Sequence, residues 1–435
     1  MAQFRKDTHT YLPQETTIFE VVMLADQYGN LVGPANPSGV AVDAFGRSRI
    51  SQPITLFDSF HRYRENDKWN TANSATGSSY SYNANSASIS MSVGTANGNY
   101  VYRETTKVFA YQPGKSLHFL QTFVFAPAQT GLRQRNGYFS SENGIYLELD
   151  GNTLNLVVRS KSSGVVTETR VPQSEWNIDK LDGTGPSLYT LDIAKAHIFW
   201  GDVEWLGVGT VRCGFVINGQ LIHCHSFHHS NLITSTYMTT ACLPLRFEIE
   251  NKATVSNTST MQAICSSVIS EGGYELRGDQ YSIGHLPNSS YTLTGAGVFY
   301  PVAAIRLRSD RPDAIVLPKN ICILGLTGNG SRIAYKLVSG ANVVGGTWIN
   351  ADTANSSVQY NLTATSMSGG RDYITMYQAV NNQGSVAQGV IGNDIFRHQL
   401  ERNSFTGTNT TFVLAVAGAG SADTVLGAID WEEIS

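Results

Sequence analysis

The run Trp200-Gly-Asp202-Val-Glu204-Trp205 sets two carboxylates two residues apart between two indoles. Alternate side chains of a strand share a face, so this spacing predicts both carboxylates on one side. Two carboxyl groups ~5 Å apart, one with a raised pKa, are what retaining glycoside hydrolysis requires. The run lacks the third acidic residue that such strand motifs usually carry. Strand-edge acids are therefore the favoured reading, and no catalytic residue is assigned. Trp200, Trp205, Asp202 and Glu204 are kept as candidate glycan-binding or interface residues.

A second concentration of chemistry follows at His223, Cys224, His225, His228 and His229. In a regular strand His223 and His225 project from one face, a geometry able to chelate a metal, with His228 or His229 completing the set. Histidines that simply hydrogen-bond at a strand end are the commoner outcome, and no metal or cofactor is assigned. Gly328-Asn-Gly-Ser331 lacks the Lys and the following helix of a phosphate-cradling loop and reads as a hairpin tip.

The elements that must position these groups are strands. Asn218-Gly219 between apolar runs is a strong hairpin signal, because a type I′ turn needs positive φ at both central residues. Asp150-Gly151 marks a second hairpin and Ser163-Gly164 a turn. Residues 116–125 alternate strongly and read as a core strand. The polar tract 70–85 reads as a long surface excursion. Only 394–402 hints at a short helix, with Asp394 as its N-cap. The pattern predicts an all-β chain: an extended N-terminal arm at 1–50, a β-sandwich of jelly-roll type at 51–275 and a second β-rich domain at 276–435.

Composition narrows the function. The chain has 435 residues, 15% of them charged, 41 Gly and a net charge of −4. The usual charged share is ~25%, so the surfaces are expected to be neutral and hydrogen-bonding, with few charges to desolvate on packing. No basic field is present to hold nucleic acid. The N-terminal residues show no secretory signal, and no run of ~18 apolar residues is long enough to span a membrane. The five cysteines, an odd number without Cys-x-x-Cys, read as reduced buried thiols.

Several strings resemble virion structural proteins of tailed bacteriophages, especially T-even-like, contractile-tailed cyanophages. They are Gly39-Val-Ala-Val-Asp-Ala-Phe-Gly-Arg47, Thr55-Leu-Phe-Asp-Ser59 with His61-Arg-Tyr63, Arg103-Glu-Thr-Thr-Lys-Val-Phe109 and Gln112-Pro-Gly-Lys-Ser116. Glu204-Trp-Leu-Gly-Val-Gly209, Cys224-His-Ser-Phe-His-His229 and Glu271-Gly-Gly-Tyr-Glu275 complete the set. The sandwich read from the strand pattern is expected to be jelly-roll or concanavalin-like, and the resemblance implies a non-enzymatic tail, baseplate or tail-fibre component, made in the host cytoplasm and located in the virion. It implies docking to other virion proteins, for which residues 1–50 are the expected segment, and a homotrimer or other symmetric homo-oligomer. A head or neck decoration protein and an adhesin for a host-surface glycan are the alternatives.

Overall fold

The computed structural model describes residues 51–326, 331–380 and 397–434, together with the backbone of 386–390. Fifteen strands build the first part. They are β1 (Ile54–Ser59), β2 (Trp69–Asn73), β3 (Ser78–Asn83), β4 (Ser88–Val93) and β5 (Tyr100–Thr105). Next come β6 (Leu117–Val124), β7 (Leu132–Phe139), β8 (Gly144–Asp150), β9 (Thr153–Ser160) and β10 (Thr167–Pro172). The last are β11 (Ala196–Val203), β12 (Val211–Ile217), β13 (Gln220–Phe227), β14 (Leu245–Asn251) and β15 (Ser259–Ser270). Among the described residues the single helical element is a 3-10 turn at Gln173–Glu175.

The strands form two antiparallel sheets. One runs β13-β12-β11-β6-β15-β4-β3, with β1 also on β15; the other runs β10-β9-β8-β7-β14-β5-β2. The chain crosses between sheets from β5 to β6, from β6 to β7 and from β14 to β15, which is the traffic of a jelly roll. Alternation explains the packing. β6 buries every second residue, and its Phe119 and Phe123 meet Leu147, Leu245, Phe247 and Met261 in one core. The Asn218-Gly219 turn joins β12 to β13, with φ of 52° and 76° at its two residues.

Two expectations change here. The tract at 70–85 is not an excursion, because it supplies β2 and β3, the outermost strands of the two sheets. An edge strand has one hydrogen-bonded side and little burial, so its sequence stays polar. The short helix expected at 394–402 begins outside the described residues. Arg397–Arg402 itself is a turn and an irregular segment ending in a bridge between Arg402 and Asn409.

Further sheets follow. One orders Asp279–Gly284, Asp423–Ile434, Ile315–Gly325 and Val386–Val390, with Tyr291–Leu293 on the second of these. Another is centred on Tyr300–Leu307, Thr411–Gly418 and Arg332–Ser339. The tip of the run at Gly328 lies outside the described residues. Its flanks Ile315–Gly325 and Arg332–Ser339 belong to different sheets, so they are a crossover rather than a hairpin. These sheets enclose a second core around Trp431, Leu414, Ile323 and Tyr335. Ile315 and Leu317 pack into the core of the first sandwich, and Pro53–Ser435 forms one compact unit.

The outer face of the β7-containing sheet carries a charge ladder. One row across the strands reads Tyr102, Glu248, Arg135, Glu148. Arg135 pairs with Glu248 and, at 2.8 Å, with Glu250; Arg170 pairs with Glu148 at 2.7 Å. Arg246 joins Glu248 to Glu104. Arg402 then bonds Glu104 and Asp313, and the Phe405 ring lies 5.6 Å from the Arg246 guanidinium. Glu148, Glu248, Arg135, Glu104 and Arg402 are all buried. Burial disfavours each charge, and the pairing with opposite neighbours compensates.

Candidate functional site

The loop from β11 to β12 positions Asp202 and Glu204. Asp202 is the next-to-last residue of β11, opposite Arg212 on β12 and His118 on β6. Its two carboxylate oxygens are taken by the Arg212 guanidinium and the Ser116 hydroxyl. Glu204 lies just beyond the strand, where its carboxylate accepts the Thr210 backbone N–H at 3.2 Å. The loop closes on itself through Glu204 N–H to Thr210 O at 3.0 Å and Gly209 N–H to Trp205 O at 2.8 Å. A Cβ at Gly209 would stand 2.2 Å from Glu204 O, so only glycine permits this closure.

Both carboxylates line a cleft of about 360 Å3 with Lys115, Ser116, Leu206, Thr210 and Arg212. Lys115 Nζ donates to Gly272 O at 2.7 Å on the neighbouring bend. The structure thus brings Asp202 and Glu204 together in one depression. Asp202 is 7% exposed and already neutralised by its partners. Each of its oxygens thus holds one partner, Ser116 on one and Arg212 on the other.

The indoles are placed differently from stacking platforms. Trp200 is buried, its ring 5.7 Å from that of His118 and 5.9 Å from that of His223. Trp205 is half-buried. Its Nε1 donates to Met238 O at 3.1 Å and its ring meets Tyr111 edge-on at 6.0 Å. The Tyr111 hydroxyl in turn accepts the N–H of Trp205 at 3.1 Å and of Leu206 at 3.3 Å. Trp205 is the anchor of the loop.

The histidines separate, which corrects the expectation that His223 and His225 share a face. A bulge at Cys224 sets His225 opposite Cys213 and His223 opposite Gly214. One extra residue reverses the alternation. His223 turns to Trp200 and bonds the Ser226 hydroxyl at 2.9 Å. His225 lies against Phe227, and its Nδ1 accepts the Asn177 N–H at 3.2 Å. Burial, with His223 and His228 adding to it, lowers the His225 imidazole to about 4. His229 stacks on Tyr237 at 3.9 Å and bonds Gly209 O at 2.7 Å, while His228 lies 3.3 Å from the Thr210 hydroxyl. Among the described residues no three His, Cys, Asp or Glu side chains converge as metal ligands would. Cys213 and Cys224 are buried free thiols, both pushed upward by burial.

The charge ladder escaped the sequence reading, although a signal was present. Arg133 and Arg135, then Arg246, Glu248 and Glu250, fall on alternate positions, which is one face of a strand charged throughout.

No family model and no curated protein matches this chain. Solved structures resemble it in fold. A protein of unknown function from Shewanella oneidensis is 9% identical over 52% of this chain and 90% of its own, with a TM-score of 0.34. A Bacteroides ovatus mixed-linkage glucan GH16 protein, in complex with product, is 8% identical over 49% of this chain and 99% of its own, with a TM-score of 0.33. Arcelin-5, a lectin-like defence protein of Phaseolus vulgaris, is 9% identical over 51% and 99%, with a TM-score of 0.32. The chain is an all-β protein: a jelly-roll, concanavalin-like β-sandwich followed by a second β-rich region.

Proposed function

We propose that this protein is a non-enzymatic structural component of a tailed-bacteriophage particle, in its tail, baseplate or fibres, working as a symmetric oligomer and docked through its first fifty residues. The observation that carries the reading is the weld between the sandwich and the later sheets. Arg402, Glu104, Arg246 and Glu248 form one buried chain of alternating charge, and Lys68 pairs with Glu401 beside it. Each buried charge in it has an opposite neighbour, so this contact between the two regions is specific in its geometry, as a part held in a fixed assembly requires. The pairing of Asp202 with Arg212 and Ser116, which ties β11 to its neighbours, fits a structural role.

The test is to locate the protein in purified particles with antibodies raised against the recombinant chain. Labelling is expected at the tail or its baseplate end. Abundance in the lysate with none in the particles rejects the reading, and labelling of the head transfers it to decoration. A second reading, host-glycan binding, draws on the cleft, where Lys115, Glu204 and Thr210 stand beside exposed Leu206. A glycan array that stays blank at high protein concentration removes it.

A further inference from the structure

β3 is the outermost strand of its sheet, paired in unbroken register to β4 from Ser78↔Val93 to Asn83↔Ser88. Open edges invite pairing with another chain, and proteins blunt them with charge, proline, bulges or cover. The other edges of the sandwich are blunted in these ways. β10 carries Glu168 and Arg170 and ends at Pro172. β13 has its bulge at Cys224, and β1 has a register shift at Leu56 and carries Asp58. β2 is crossed by the segment of Arg402, whose carbonyl accepts from Asn70 Nδ2. β3, with sequence SSYSYN, has no charge, no proline and no bulge; on the core side its Tyr82 hydroxyl donates to Arg62 O at 2.8 Å, and among the described residues no strand pairs with its outer edge.

We infer that β3 is the site at which a second copy of this chain adds, edge to edge, about a two-fold axis through Ser81. The strand is complementary to itself in that one antiparallel register. Tyr80 and Tyr82 stand opposite Met91 and Ile89, so both rings lie on the core side, whereas Ser79 and Ser81 lie on the outer side. With the axis at Ser81, Tyr80 of each copy faces Tyr82 of the other, Ser79 faces Asn83, and Ser81 faces itself. Every pair matches aromatic with aromatic or hydroxyl with a neutral polar group, and no like charges oppose. Cross-strand aromatic pairs are among the stabilising pairs of a sheet. The outer face continues with Ser90, Ser92, Thr260 and Gln262, uncharged across three strands, so no field opposes the approach. Pairing fuses the two eight-stranded sheets into one continuous sheet. It also covers Tyr80, which is 40% exposed in the single chain. This inference stands on the edge itself and does not rest on the particle reading.

The experiment uses the full chain with Cys265, the exposed thiol, replaced by serine. Sedimentation velocity at about 10 μM is expected to give twice the 47.2 kDa chain mass. S81K, which sets two ammonium groups against each other at the axis, should give a monomer with an unchanged circular-dichroism spectrum. S81C should form a dimer under mild oxidation, linked from position 81 to position 81 by peptide mapping. Ser81 is solvent-exposed, so neither change burdens the fold. A monomer or trimer from the unsubstituted edge overturns the inference, and so does a dimer that S81K leaves intact.

Discussion

Arg402 Nη2 donates to Glu104 Oε1 at 3.1 Å, joining positions 298 residues apart in the chain. Both side chains are buried, and each has further partners: Asp313 for Arg402, and Arg246 for Glu104.

Replacing Arg402 with Met therefore leaves Glu104 short of a counter-charge in a buried setting. The expected loss is about 3 kcal/mol of stability. The double variant R402M/E104Q should recover part of it, because no lone charge remains. Urea unfolding of the single and double variants measures both.

Acid should weaken the fold in a defined window. His61 is lowered to about 4 by burial and by Arg103, and His225 to about 4 by burial with His223 and His228. Each accepts a backbone N–H on Nδ1, from Asn66 at 3.1 Å and Asn177 at 3.2 Å. Their folded values lie below the unfolded value of ~6.5. The stability they contribute is complete above that value and is lost as pH falls from about 6.5 to about 4. Melting temperature should decline across this window, and H61Q/H225Q should flatten the decline.

The β11–β12 loop depends on a close approach. In Gly209→Ala the new methyl would stand 2.2 Å from Glu204 O. The loop must open, at an expected cost of about 1–3 kcal/mol. Release of Trp205 from Met238 O and Tyr111 should shift tryptophan emission to the red, while far-UV circular dichroism stays unchanged.

Thiol reactivity should follow burial. Cys265 is exposed, whereas Cys213 and Cys224 are buried in the sandwich core. A disulfide reagent at pH 8 should label Cys265 first and reach Cys213 and Cys224 only on unfolding. Loss of the fast phase in C265S checks the assignment.

What could be read from the sequence follows from what side-chain pattern encodes. The Asn218-Gly219 hairpin and the buried alternation of β6 were legible because turn chemistry and period two are local properties. The cleft was half legible: Asp202 and Glu204 do share it, but the Arg212 that bonds Asp202 comes from β12 and the Ser116 from the segment just before β6. The bulge at Cys224 was hidden, since an extra residue in a ladder depends on its partner strand. β2 and β3 were hidden for a different reason. Sparse burial at an edge leaves a strand as polar as a loop.

One consequence concerns force. β1 opens the sandwich and lies antiparallel to β15, which closes it, with Ile54 beside Ser270. Tension applied at Pro53 and Glu271 would therefore peel this pair apart one rung at a time, the weakest way to load a sheet. The contacts of Lys68 with Glu401 and Arg402 with Glu104 lie beyond β1 in the chain, so they would take up load only after that strand had peeled away.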